Sequence, residues 1–201
     1  MEDRKEHHLN VFKKGPVLRY GFIASFIYLI FGLILFLMTI YILKFGNYNP
    51  SMSGYVSVQL FIMSITASVL AAYRASRDPE ETGLSKKMRS LSGICAALIA
   101  SLFPVLVFAG LSLFFINDDI FSSLLALQFY IAPVPAAVIG GLIGYFIEGN
   151  SSFFGTGGGI KKYAMIVSAV LLLEFALFLI IIYGAIGLDF GPFDPGRIMV
   201  P

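Results

Sequence analysis

Residues 20–43 read YGFIASFIYLIFGLILFLMTIYIL, a run of 24 positions without a charged side chain. A bilayer core about 30 Å thick is crossed by about 20 apolar residues in a helix, so this stretch predicts a transmembrane helix. It is too long for the core of a signal peptide, and no small-residue cleavage site follows it. We therefore expect the helix to be retained in the protein.

Four further segments have the same apolar character: 56–73, 91–116, 120–146 and 163–188. The chain is 58% hydrophobic and 13% charged, about half the charged share of an average soluble domain, so much of its surface should face lipid. The sequence predicts an all-α, polytopic membrane helix bundle of five transmembrane helices within 20–188. A basic tail at 1–19 precedes the bundle, and a Pro- and Gly-rich tail at 189–201 follows it.

The distribution of Lys and Arg predicts the orientation, because cytoplasmic loops carry an excess of basic residues. If the five spans alternate in direction, one side of the membrane receives twelve Lys and Arg and the other receives two. The sequence thus predicts a multi-pass protein of the cell membrane with a cytoplasmic N-terminus and an external C-terminus. The short polar turn at 117–119 predicts that the third and fourth helices form an antiparallel hairpin.

Small residues recur at four-residue steps on the third and fourth spans, and such a step stays on one helix face. Small faces let helix backbones approach closely in lipid, so we expect these two helices to pack through them, although the fourth could instead dock another subunit. Proline removes a backbone donor and bends a helix, which predicts kinks in both spans. The packing positions are Gly93 and Ala97 on the third helix and Ala132, Ala136, Gly140 and Gly144 on the fourth, and the kinks are expected at Pro104, Pro133 and Pro135.

Glu174 is the one charged residue within the five predicted spans. An ionised carboxylate at mid-membrane costs about 2.5–3.5 kcal/mol, so the sequence predicts a neutral Glu174 or one that binds a cation. At 1.5 Å of rise per residue, Glu174 and Gln128 share a depth about 18 Å from the inner side. We hypothesise a hydrogen bond between them in the bundle interior. Three roles of Glu174 stay open: a polar clamp between helices, a proton or cation relay helped by Ser64, Thr66, Ser68 and Tyr130, and a contact with another subunit.

The sequence lacks the residue patterns that are typical of several kinds of functional site. Adjacent His7 and His8 have no carboxylate or cysteine at ligand spacing, and Cys95 stands alone, so no metal, cofactor or disulfide is expected. The glycines at 155–159 are separated from Lys161 by Ile160, which is not the spacing of a phosphate-binding loop. No basic run is long enough to predict a nucleic-acid partner.

These patterns favour a membrane protein without a catalytic constellation. The first hypothesis is a non-enzymatic subunit or scaffold of a membrane complex, either a homo-oligomer or bound to a membrane protein partner. The alternative is a small oligomeric transporter or channel, coupled to protons or cations through Glu174 and the proline-bent fourth helix. Both hypotheses place the protein in contact with the lipid bilayer.

Overall fold

A computed structural model describes residues 15–45, 51–77, 86–115, 132–146 and 160–186. These residues form five helices. Helices α1, α2, α3 and α5 each have an apolar length sufficient to cross a membrane, whereas α4 has 14 residues. The prediction of an all-helical protein is confirmed for the described residues, with four candidate membrane helices. The helices are α1 Pro16–Phe45, α2 Ser51–Ser76, α3 Lys86–Phe115, α4 Pro133–Phe146 and α5 Ile160–Ile186.

Successive helices run in opposite directions, as contacts near their ends show. The guanidinium of Arg74, near the end of α2, lies 5.2 Å from the ring centroid of Tyr20, near the start of α1. The hydroxyl of Ser76 donates to the carbonyl oxygen of Arg89, which joins the end of α2 to the start of α3. Tyr163, near the start of α5, donates through its hydroxyl to the Tyr20 carbonyl oxygen at 3.3 Å. Thus α1, α3 and α5 run one way and α2 the other.

The same geometry collects basic residues at one end of the bundle. This basic end is where α1, α3 and α5 begin and where α2 and α4 end. Of the nine Lys and Arg residues in the described ranges, only Lys44 lies at the opposite end. The other eight, which define the basic end, are Arg19, Arg74, Arg77, Lys86, Lys87, Arg89, Lys161 and Lys162.

The main core lies among α1, α2, α3 and the inner face of α5, and small side chains form much of it. Alanines of α2 and α3 are fully buried because helices with small residues between them can approach closely. Ser68 adds a polar link, since its hydroxyl contacts the carbonyl oxygens of Ser64 at 2.7 Å and Ala97 at 3.1 Å. The Tyr28 hydroxyl donates to the Leu60 carbonyl oxygen at 3.1 Å and joins α1 to α2. The buried alanines are Ala67, Ala71, Ala72, Ala75, Ala96, Ala97 and Ala100.

Helix α5 lies at the periphery and packs mainly on α1 and α2. Its inward stripe includes Val167 and Leu171, both fully buried. Its outward face is apolar and wide: Met165 is 72% exposed and Ile180 is 67% exposed. A surface of this kind is suited to lipid or to another membrane helix, because neither provides water to the side chains.

Candidate functional site at the interface of α2 and α5

Glu174 lies beside the midpoint of α5, at the edge of the stripe that faces α1 and α2. The surrounding sequence is Leu-rich, and Leu172 and Leu173 on its N-terminal side are both exposed. The Glu174 side chain is half-buried, so part of it lies at the helix surface and part lies between helices. The carboxyl group therefore sits where α5 meets α2, in the middle of an apolar length of helix.

Two polar residues of α2 hold this position. The Thr66 hydroxyl donates to Oε1 of Glu174 at 2.5 Å, a short O–H···O hydrogen bond. The Gln59 side-chain amide donates to the backbone carbonyl oxygen of Glu174 at 3.4 Å, which is near the outer limit for a hydrogen bond. Thr66 and Gln59 are seven residues apart and lie on one face of α2. We call Gln59, Thr66 and Glu174 the clasp, because they join α5 to α2.

The second carboxyl oxygen of Glu174, Oε2, has different surroundings. Oε2 is buried and has no hydrogen-bond partner among the residues that the structure describes. In the described ranges Glu174 is the only acidic residue, and the basic residues lie near helix ends rather than at its depth. Leaving a charged oxygen without a donor in an apolar environment is strongly unfavourable. The clasp thus supplies a donor to Oε1, and no described residue supplies one to Oε2.

Aromatic side chains adjoin the clasp on the α1 side. Phe175, the next residue of α5, packs its ring against Phe31 of α1 with centroids 6.1 Å apart. Both phenylalanines are partly buried against the main core. This contact adds to the apolar packing of α5 on the bundle, and it places Glu174 beside the face of α5 that is packed against α1.

The structure brings only some of the residues predicted to accompany Glu174 to its carboxyl group. Gln128 and Tyr130 lie outside the described residues, so the Glu174–Gln128 hydrogen bond stays a prediction. Thr66 contacts the carboxyl group, whereas Ser68 bonds towards α3 instead. Sequence reasoning missed Gln59 as a neighbour of Glu174, although its seven-residue spacing from Thr66 marked a polar face on α2.

The small-residue positions of α3 and α4 are brought together. A Cβ atom on Gly93 would overlap the carbonyl oxygen of Gly140, and a Cβ on Gly140 would lie 2.6 Å from the carbonyl oxygen of Gly93 and 2.7 Å from the Ala97 Cβ. A Cβ on Gly144 would lie 2.7 Å from Cα of Ser90. The two backbones are therefore so close that only glycine fits at these positions.

Alanines and a hydroxyl extend the same interface. Ala136 is buried with Ala97 and Ala72 in one small cluster, and Ala132 is also fully buried. The Ser90 hydroxyl donates to the Gly141 carbonyl oxygen at 2.9 Å. The contacts pair the start of α3 with the end of α4, so the two helices are antiparallel.

The prolines occupy two kinds of position. Pro104 lies inside α3 and is buried. Pro133 and Pro135 lie in the first turn of α4, where a backbone N–H would have no intrahelical partner, so neither interrupts the described helix. The predicted kink within a span from 120 to 146 therefore does not fall inside α4, and residues 120–131 lie outside the described part of the chain.

No group of three or more His, Cys, Asp or Glu side chains with metal-binding geometry occurs among the described residues. His7 and His8 lie outside those residues, and Cys95 is partly buried on α3. Comparisons with known proteins add no relative, because no family model, no curated protein and no solved structure matches this sequence. Functional inference consequently rests on the chain's own geometry.

Proposed function

We propose that the chain is a five-span protein of the cell membrane, with its N-terminus in the cytoplasm and its C-terminus outside. The alternating helix directions and the concentration of Lys and Arg at the basic end favour this orientation. Helix α4 would be the membrane-inserted end of the fourth span, packed on α3. A cysteine introduced next to Lys161, at the basic end, should react with an impermeant thiol reagent only after the membrane is permeabilised; labelling of intact cells would contradict the orientation.

We further propose that it acts as a non-enzymatic subunit or scaffold of a membrane complex. The observation that carries this proposal is the outward face of α5, a peripheral helix tied to the bundle by the clasp and by aromatic packing. Such a helix presents a long apolar surface to the membrane, which a second copy or another membrane protein could cover. The exposed residues of this face are Met165, Leu172, Leu173, Leu177, Ile180 and Ile181.

A photo-crosslinking residue tests the subunit proposal directly. Placed at Leu173 on α5, it should give one protein adduct of defined mass in native membranes, either with a second copy or with a partner chain. The matched control position is Val138, which is similarly exposed on α4. Lipid adducts alone at Leu173, with protein adducts at neither position, would contradict the proposal.

A proton- or cation-coupled transporter is the second candidate, and the buried Oε2 of Glu174 favours it. A coupled transporter requires a group that gains and loses a cation during its cycle, and this carboxyl is the one acidic group in the described ranges. The Glu174→Gln variant separates the two functions. It should abolish pH-driven flux in vesicles if the protein is a transporter, and it should preserve the crosslinked complex if the protein is a subunit.

A further inference from the structure

We infer that the Glu174 carboxyl group is a proton-binding site whose bound proton locks α5 against α2. The inference rests on the proposed insertion of α5 in the membrane, but it holds for a subunit and for a transporter alike. It concerns the chemical state of one carboxyl group and the helix contact that depends on that state.

The geometry limits what can neutralise the carboxylate. Oε2 is buried and has no partner among the described residues, so a hydrated cation could reach that oxygen only if the helices moved apart. Thr66 already contributes its hydroxyl to Oε1, and the Gln59 amide is directed to the backbone carbonyl oxygen instead of the carboxyl group. A proton is the one positive group that needs no additional space.

The basic residues of the described helices packed against α5 lie near helix ends, away from the position of Glu174. Helix α1 carries Arg19 and Lys44 near its two ends, and α2 carries Arg74 and Arg77 near its last turn. On α5 itself, Lys162 precedes Glu174 by 12 positions, about 18 Å along the axis.

The titratable tyrosines of those elements are placed similarly. Tyr20, Tyr73 and Tyr163 lie at the basic end, Tyr41 and Tyr55 lie near the other end, and Tyr183 lies nine positions beyond Glu174. Tyr28 lies nearer the middle of α1, and its hydroxyl donates to the Leu60 carbonyl oxygen. A tyrosine is neutral or anionic, so none of these side chains can neutralise the Glu174 carboxylate by its charge.

The two protonation states of Glu174 should differ in how α5 is held. A protonated carboxyl group is neutral and can stay between the helices while Oε1 accepts from Thr66. After the proton leaves, the carboxylate requires water or a cation, which is available only if α5 moves away from α2 or turns about its axis. Protonation therefore links the local pH to the exposure of the α2–α5 interface.

A hydrophobic carbodiimide tests the proton site, since the reagent reacts with protonated carboxyl groups in apolar surroundings. The full chain is placed in phosphatidylcholine–phosphatidylglycerol vesicles and labelled with dicyclohexylcarbodiimide across a pH series, and peptides are quantified by mass spectrometry. Glu174 should be modified, and its label should fall about tenfold per pH unit above the titration midpoint. Glu174→Gln should remove this label. The control Glu148→Gln, which replaces a glutamate outside the predicted spans, should leave the label on Glu174 unchanged.

A fluorescence probe tests the lock. The chain has no tryptophan, so Phe175→Trp introduces a single tryptophan beside the clasp, which is excited at wavelengths that tyrosine does not absorb. Its emission should shift with pH along the same curve as the carbodiimide label and should be independent of pH when Glu174→Gln is added. A flat emission in the Phe175→Trp protein would overturn the lock.

The proposed membrane insertion is checked separately, by resistance of the protein to extraction with alkaline carbonate. If the protein is inserted but Glu174 reacts equally at every pH, or reacts with a water-soluble carbodiimide as fast as the other carboxyl groups, the proton site is wrong. If the protein is extracted, the membrane proposal fails instead.

Discussion

The α3–α4 interface and the α2–α5 interface show two ways of holding helices together in an apolar environment. At the first, glycines bring two backbones into direct contact, and shape alone determines the fit. At the second, a polar clasp joins a peripheral helix whose outer face remains exposed. The comparison indicates that close backbone contact holds α3 against α4, whereas α5 is held by its buried apolar stripe together with the clasp, which we propose responds to protonation of Glu174.

The largest effect is expected from filling the glycine contact. Gly93→Val should lower the free energy of unfolding by about 3 kcal/mol, because the added carbons meet the Gly140 backbone, which cannot move aside as a side chain could. Unfolding by SDS titration in a mild detergent measures the loss. Gly54→Val is the matched control, since nothing lies within 4 Å of the Gly54 Cβ position; equal losses in the two variants would contradict direct backbone contact.

A smaller effect is expected from the clasp. Glu174→Ala should destabilise the protein by about 1–2 kcal/mol, because the Thr66 hydroxyl loses its acceptor, and Thr66→Val should cost a similar amount. Thr66→Ser should stay near the parent value, since it keeps the donor. The same SDS titration measures all three variants. A gain in stability for Glu174→Ala would show instead that the carboxyl group is an ionised burden on the fold.

The smallest effect is expected from the hydroxyl at the α3–α4 interface. Ser90→Ala removes the hydrogen bond to the Gly141 carbonyl oxygen and should cost about 0.6 kcal/mol, since inter-helix hydrogen bonds in membranes average near that value. The ratio of this loss to that of Gly93→Val compares polar bonding with shape at one interface. A loss equal to that of Gly93→Val would mean that hydrogen bonding, rather than close packing, holds α4.

Much of the architecture could be read from the residues alone. The apolar lengths predicted helices, and four of them are long enough to cross a membrane. The four-residue steps of Gly and Ala identified the faces that meet between α3 and α4, because a repeat close to the helical period keeps residues on one side. Glu174 was recognisable from sequence because a charge within an apolar run is costly in any fold.

The neighbours of Glu174 could not be read in the same way. Counting residues gives the depth of a side chain, but several residues on different helices share each depth, so depth alone did not single out Thr66 and did not reveal Gln59. The rotation of α5 about its axis selects among them, and packing of Phe175 on Phe31 and of Leu171 in the core fixes that rotation.

The sequence by itself thus determined the helices, their apolar surroundings and the one carboxyl group that those surroundings disfavour. Only the tertiary structure decided that Thr66 donates to Oε1, that no described residue donates to Oε2, and that α5 lies at the periphery. The physical reason is that apolar burial depends on composition along each helix, whereas a hydrogen bond depends on the relative rotation of two helices that only packing sets.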